Sequence, residues 1–143
     1  MKLDALQTAL YAQLEHASVT ALLSTAYAPE PAIFSDVPQS DDSENDAAFP
    51  YIVIGGDTLT PFDTKDNVGG SAIAQVDLYY RGTSKLILKQ LATAVDARLR
   101  RQALTITGAT HITTELESAT PTPDPDGKTF RLLLLYRILW LET

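Results

Sequence analysis

Residues Lys128–Leu141 read KTFRLLLLYRILWL, and ten of the fourteen are apolar or aromatic. After Lys128 only Arg131 and Arg137 carry charge. Laid out as a strand, the run puts Phe130, Leu132, Leu134, Tyr136, Ile138 and Trp140 on one face. Arg131, Leu133, Leu135, Arg137, Leu139 and Leu141 fall on the other. Two largely apolar faces are the pattern of a strand covered on both sides. The leucines alone fit a buried helix equally well. Phe130, Tyr136, Ile138 and Trp140 favour the strand, as does the turn signal Asp124-Pro125-Asp126-Gly127 just upstream. A membrane span needs roughly 20 apolar residues, whereas this run is shorter and holds two arginines. Each buried Leu or Phe is worth about 1.5–3 kcal/mol, so the run anchors the core. Its second face calls for a cover, either a helix of the same chain or a neighbouring subunit.

Working back from this strand, the proline-rich Thr120–Gly127 closes a long-looped hairpin with a strand over Thr110–Ala119. There Ile112, Thr114 and Leu116 alternate with His111, Thr113, Glu115 and Glu117, which predicts one wet face. A separate β run is predicted at Leu104–Thr107. Ser84 caps the clearest helix, Lys85 to about Gln102, with Leu88, Leu91, Ala92, Val95 and Leu99 buried and Lys89, Asp96, Arg98 and Arg100 outside. Ser71–Arg81 is a strand whose core face is Ala72, Ala74, Val76, Leu78 and Tyr80. Its other face carries Ser71, Gln75, Asp77 and Arg81, but also Ile73 and Tyr79, a hint of contact with something else.

Phe49–Ile54 is a strand opened by Pro50, which has no ladder donor to give. Gly55-Gly56 suggests a bulge or bend before Asp57–Thr60, and Pro61–Gly70 is a polar connection. Ile33-Phe34 is a short strand closed by Asp36-Val37-Pro38. From about Asp4 to Tyr27 the chain reads as helical, with Leu3, Leu6, Leu10, Leu14 and Ala17 in one stripe. A break is expected near His16–Ser18, with Ser18 capping a second short helix that holds Val19, Leu22 and Leu23, and Pro29 and Pro31 end the region. The order predicts one α+β domain over residues 1–143, a mostly antiparallel sheet with helices packed on one face.

Composition narrows the function. Apolar content of 45% and charged content of 20% in 143 residues describe a globular domain with a proper core. With no cysteine, neither a disulfide framework nor a thiolate zinc site is available, which suits an intracellular assembly environment. The opening MKLDALQTAL reads as an amphipathic helix rather than a secretory signal. A net charge of −7 argues against a general grip on nucleic acid. Asp41, Asp42, Glu44 and Asp46, within residues 40–46, have the alternating carboxylates of a calcium loop. The central glycine and terminal glutamate of such a loop are missing, so a solvated loop is the plainer reading and no metal is expected.

Reactive groups do not converge. His16 sits at a helix end and His111 on a polar strand face, each read as a surface histidine. No serine stands in a G-x-S-x-G elbow. Gly55-Gly56 and Gly69-Gly70 lead into no lysine-bearing phosphate loop and read as bends. Asp124 and Asp126 share a turn with Gly127. Arg98, Arg100 and Arg101 form the only basic cluster, at a helix C-terminus that favours such residues through the macrodipole. These features predict neither an enzyme nor a catalytic, cofactor or metal site.

Phe49-Pro50-Tyr51-Ile52-Val53-Ile54-Gly55, followed by Thr60-Pro61-Phe62-Asp63-Thr64-Lys65, resembles the central motif of the phage tail-completion proteins. These are also called tail terminators of long-tailed phages and gene transfer agents. The resemblance extends to Ala21-Leu22-Leu23, to Ile33-Phe34-Ser35-Asp36-Val37-Pro38 and to Val76-Asp77-Leu78-Tyr79-Tyr80-Arg81. It also takes in the helix from Ser84 to Leu99 and the Asp124–Gly127 turn, in the family's order. The acidic stretch Ser40–Asp46 is longer than the family's usual loop. The resemblance implies a structural virion protein, assembled in the host cytoplasm, that forms a homo-oligomeric ring, usually six-membered. Such a ring caps the head-proximal end of the tail tube, stops tube polymerisation and joins the tail to the head–neck connector proteins. Genome DNA would pass through without specific binding, and no membrane is involved. The alternatives are another neck component, an adaptor or stopper, and a small-molecule-binding α+β enzyme domain.

Overall fold

The leucine-rich run is β5 (Thr129–Glu142), and it lies inside the sheet rather than at its rim. The computed structural model describes residues 1–36, 48–82, 84–123 and 128–143. The other strands are β1 (Ile33–Phe34), β2 (Tyr51–Pro61), β3 (Gly69–Arg81) and β4 (Ala109–Pro123), in the spatial order β1-β2-β3-β5-β4. Only β1 runs parallel to its neighbour; β2, β3, β5 and β4 pair antiparallel. The helices are α1 (Leu3–Leu14), α2 (Ala17–Thr20) and α3 (Leu86–Leu99). This is the predicted α+β class, with a mostly antiparallel sheet and its helices on one face.

Period-two alternation decides which strand residues meet the helices. β3 sends Ala72, Ala74, Val76 and Leu78 inward, and β5 sends Leu132, Leu134, Tyr136, Ile138 and Trp140. They close on Leu6, Leu10 and Leu14 of α1 and Leu88, Leu91, Val95 and Leu99 of α3. Gly70 lies opposite Trp140, and a Cβ there would fall 2.6 Å from Trp140 Cε2. Only glycine lets the indole lie flat on the strand. Gly55 and Gly56 have φ of 136° and 69° and form the expected bulge in β2, which then continues unbroken to Pro61.

Several expectations are corrected. The N-terminal helices end at Thr20, not near Tyr27, and Ala17 is exposed rather than in the apolar stripe. The break is where the sequence puts it, but His16 is the cap, its ring accepting from Ser18 N at 3.2 Å. Helix α3 begins and ends inside the predicted span, and Ser84 Oγ accepts from Leu86 N at 3.2 Å. Leu104–Thr107 is not a strand: Leu104 and Ile106 are buried as anchors of an irregular connection. β4 runs through Thr120-Pro121-Thr122-Pro123, which the sequence reads as loop, because prolines are tolerated on an edge strand. Two bulges in β4 break its simple alternation and leave Ile112 48% exposed instead of inward. The acidic segment 40–46 and the Asp124–Gly127 turn lie outside the described residues.

Candidate functional site: the uncovered face of the sheet

Among the described residues no helix covers the second face of β5. Register fixes what stands there: Leu139 lies beside Ser71, Arg137 beside Ile73, Leu135 beside Gln75, Leu133 beside Asp77 and Arg131 beside Tyr79. Of the two expected covers, a helix of the same chain is not found among the described residues, which leaves a neighbouring subunit, and the second face divides into two halves of different chemistry.

One half closes on itself. Tyr51 and Tyr79, paired across β2 and β3, stack with ring centroids 4.9 Å apart. Phe34 of β1 meets Tyr51 edge-on at 6.1 Å and Tyr27 at 4.9 Å, and Phe49 adds a fifth ring at 5.1 Å from Tyr51. Such pairs add about 0.5–1.5 kcal/mol each beyond their buried area. The Arg81 guanidinium lies 4.8 Å above Phe49, and that of Arg131 lies 5.9 Å above Tyr79. Arg131 also grips Asp77 with two bonds, Nη2 to Oδ2 at 2.9 Å and Nε to Oδ1 at 3.1 Å. Asp77, placed by the sequence on the face of its strand opposite the core, is only 7% exposed. Burial pushes its carboxyl above the usual range while Arg131 opposes the shift. No sequence signal placed Arg131 beside Asp77, because the pair depends on the β3–β5 register.

The other half stays open. Ile73, Leu135, Leu139 and Leu141 stand only partly buried around Arg137, which bonds Glu117 of β4 at 2.9 Å. Glu115 borders the same face and accepts from Thr113 Oγ1 at 3.1 Å, with Arg101 3.5 Å away. Apolar side chains ringed by ion pairs on one flat face are the make-up of a contact surface. Ile73 and Tyr79, singled out from the sequence as outward apolars, go to different halves: Tyr79 is used inside the chain and Ile73 is not.

The remaining candidates separate rather than converge. His16 is occupied in capping α2. His111 is half-buried and not a surface group, its Nε2 2.7 Å from Oγ1 of the fully buried Thr114, and burial pushes its pKa down. The basic cluster disperses into local roles. Arg98 Nε donates to Gln13 O while Gln13 Nε2 donates to Arg98 O, Arg100 pairs with Asp96, and Arg101 with Glu115. An open groove of about 680 Å³ runs between α1 and β1, lined by Asp4, Thr8, Tyr11, Ile33 and Phe34. Its perturbed group is Tyr11, raised by burial and by Glu15 and Glu30, and neither histidine lines it. Among the described residues no cluster of three metal-ligating side chains is present.

Residues 8–140 match the family described as Tail completion protein gp17. The chain belongs to this family. A solved structure described as the virion of a native gene transfer agent particle contains a chain of the same fold. The two agree with a TM-score of 0.82 over 99% of this chain and 98% of that one, at 20% sequence identity. No curated protein matches. The match spans the elements that build the open face, from α1 to β5. A component of phage-type tails is thus the setting in which the unused half of the sheet face has to be understood.

Proposed function

We propose that this tail-completion chain assembles into a closed homo-oligomeric ring, six-membered by resemblance to its family. The ring caps the head-proximal end of the tail tube, ends tube polymerisation and presents a surface to the head–neck connector. The reading takes residues 1–143 as one structural domain and not an enzyme. The observation that carries it is the open half-face of β3 and β5, apolar in a chain of a tail-completion family and unused by the chain's own helices. Capping is then steric: one side of the ring is shaped to the last tube ring, and the other accepts no further tube subunit. Genome DNA passes without specific binding because an acidic protein gains no counterion-release energy from phosphates. Electron microscopy of purified tails, with and without the protein, tests this. Added protein should appear as a ring at one end and should halt elongation there. Tubes that elongate unchanged, with no density at either end, would refute it.

A further inference from the structure

The helix layer has two unlike ends. α1 packs over β2, beside the edge strand β1, whereas α3 packs over β3, β5 and β4. The groove between α1 and β1 therefore opens at one end of the layer, with an apolar lining of Tyr11, Ile33, Phe34 and Ile54. Asp4 lines it too. Glu15 and Glu30 stand near Tyr11, whose pKa is raised by burial first and by these two acids next. All three acids are exposed, and none is in an ion pair among the described residues. At the other end, α3 opens with Lys85, Leu86, Ile87 and Lys89 exposed, Leu86 at 61% and Ile87 at 38%. Lys85 lies 5.0 Å over the Phe130 ring, and neither lysine meets an acid. A helix start favours acids and a helix end favours cations. Lys85 at the α3 N-cap and Glu15 at the α1 C-cap are both the reverse, with no acid in the first turn of α3 and no base in the last turn of α1. Each charge is unfavourable within its own chain, and each suits the other.

We infer that the start of α3 in one copy seats in the α1–β1 groove of the next, Leu86 and Ile87 against its apolar lining and Lys85 and Lys89 against Asp4, Glu15 and Glu30. This rests on the self-association proposed above and adds a second contact, away from the open sheet face. Uncompensated acids meet uncompensated lysines, and exposed apolar side chains meet an apolar groove. The two sites lie at opposite ends of the helix layer, so a chain cannot satisfy itself. Each copy offers one of each, and the contact repeats in one sense until the circle closes. A basic apolar segment of another tail protein would fit the groove as well, but it would leave Leu86 and Ile87 in water.

Reversing the charges tests the contact. One variant carries Lys85→Glu with Lys89→Glu, the other Glu15→Lys with Glu30→Lys. Lys85→Glu and Glu15→Lys suit their own helix dipoles better than the native residues, so both variants should melt no lower than wild type. Each should nevertheless assemble on the order of tenfold more weakly, read by light scattering across a concentration series. Mixing the two in equal amounts should restore assembly, because the reversed helix start fits the reversed groove and the native pair is still present. A single chain carrying all four substitutions should assemble as well as the mixture. Two variants that assemble like wild type, or a mixture that stays as weak as its parts, would reject this contact and leave self-association standing. Weakening by the groove substitutions alone would assign the groove to another protein and overturn the inference. Wild type that stays monomeric throughout, even on tail ends, rejects both this contact and the ring.

Discussion

Leu134 and Leu135 are neighbours in β5, identical in chemistry, and they face different worlds. Leu134 is 2% exposed, packed near Ala92 and Asp96 of α3, while Leu135 is only partly buried, on the side without a helix. Strand pleat alone separates them, since successive side chains point to opposite faces. The difference teaches that hydrophobicity in this strand serves two ends: one face holds the domain together, and the other is left over once it has folded. The closed half of that second face makes the same point from the other side. Where Asp77, Arg131 and five aromatic rings fill the surface, nothing further is needed.

The largest effect expected follows from this contrast. Leu134→Asp places an unpaired charge in the core and should abolish folding, whereas Leu135→Asp should leave a native circular dichroism spectrum and a cooperative melt. Equal loss of fold from both would erase the distinction between the faces. Gly70→Ala probes the inner face next. Its methyl group would collide with the Trp140 indole, and overpacking of this kind costs about 1–3 kcal/mol, read by urea denaturation.

A smaller effect is expected at Tyr136, whose hydroxyl donates to Asp96 Oδ1 at 2.9 Å from a fully buried ring. Burial and the Asp96 carboxylate both drive its phenol well above the usual range, so it remains a donor at any ordinary pH. Tyr136→Phe should cost about 1.5 kcal/mol, the worth of a hydrogen bond to a charged acceptor, with no effect on the open face.

The sequence carried the inner face almost completely, because period-two and helical spacing of Ala72 to Leu78, Leu132 to Trp140 and Leu88 to Leu99 encode burial directly. It also carried the surplus of β5, as a strand with two apolar faces. What it could not carry were features that depend on register between distant strands. Arg131 meets Asp77 across 54 positions in sequence, and Tyr51 meets Tyr79 only because β2 and β3 pair as they do. The bulges in β4 were equally hidden, since Thr-rich alternation gives no sign of an inserted residue, and with them went the outward turn of Ile112. The open half of the site was thus legible as residues but not as a place.

The smallest effect concerns Asp57, beyond the Gly55-Gly56 bulge, whose Oδ1 is buried and makes no hydrogen bond. Desolvation raises its pKa in the folded chain, so folding favours the neutral acid. Its ionisation therefore removes stability as pH rises from the unfolded value through the folded one. Asp57→Asn, which does not titrate, should melt slightly higher than wild type at pH 7, by less than about 1 kcal/mol because the carboxyl is partly solvated. The gain should fade as pH is lowered through the folded pKa. A gain that grew on acidification would contradict the assigned cause.

The most direct test of the central claim, that the open face of β5 is an assembly surface, is the mass of the folded protein in solution by light scattering. Wild type should form a species several times the 15.5 kDa chain at high concentration or on tail ends. Leu135→Asp should remain folded and monomeric under the same conditions. Wild-type assembly that survives Leu135→Asp unchanged would show that the leucines of this face are not what holds the ring together.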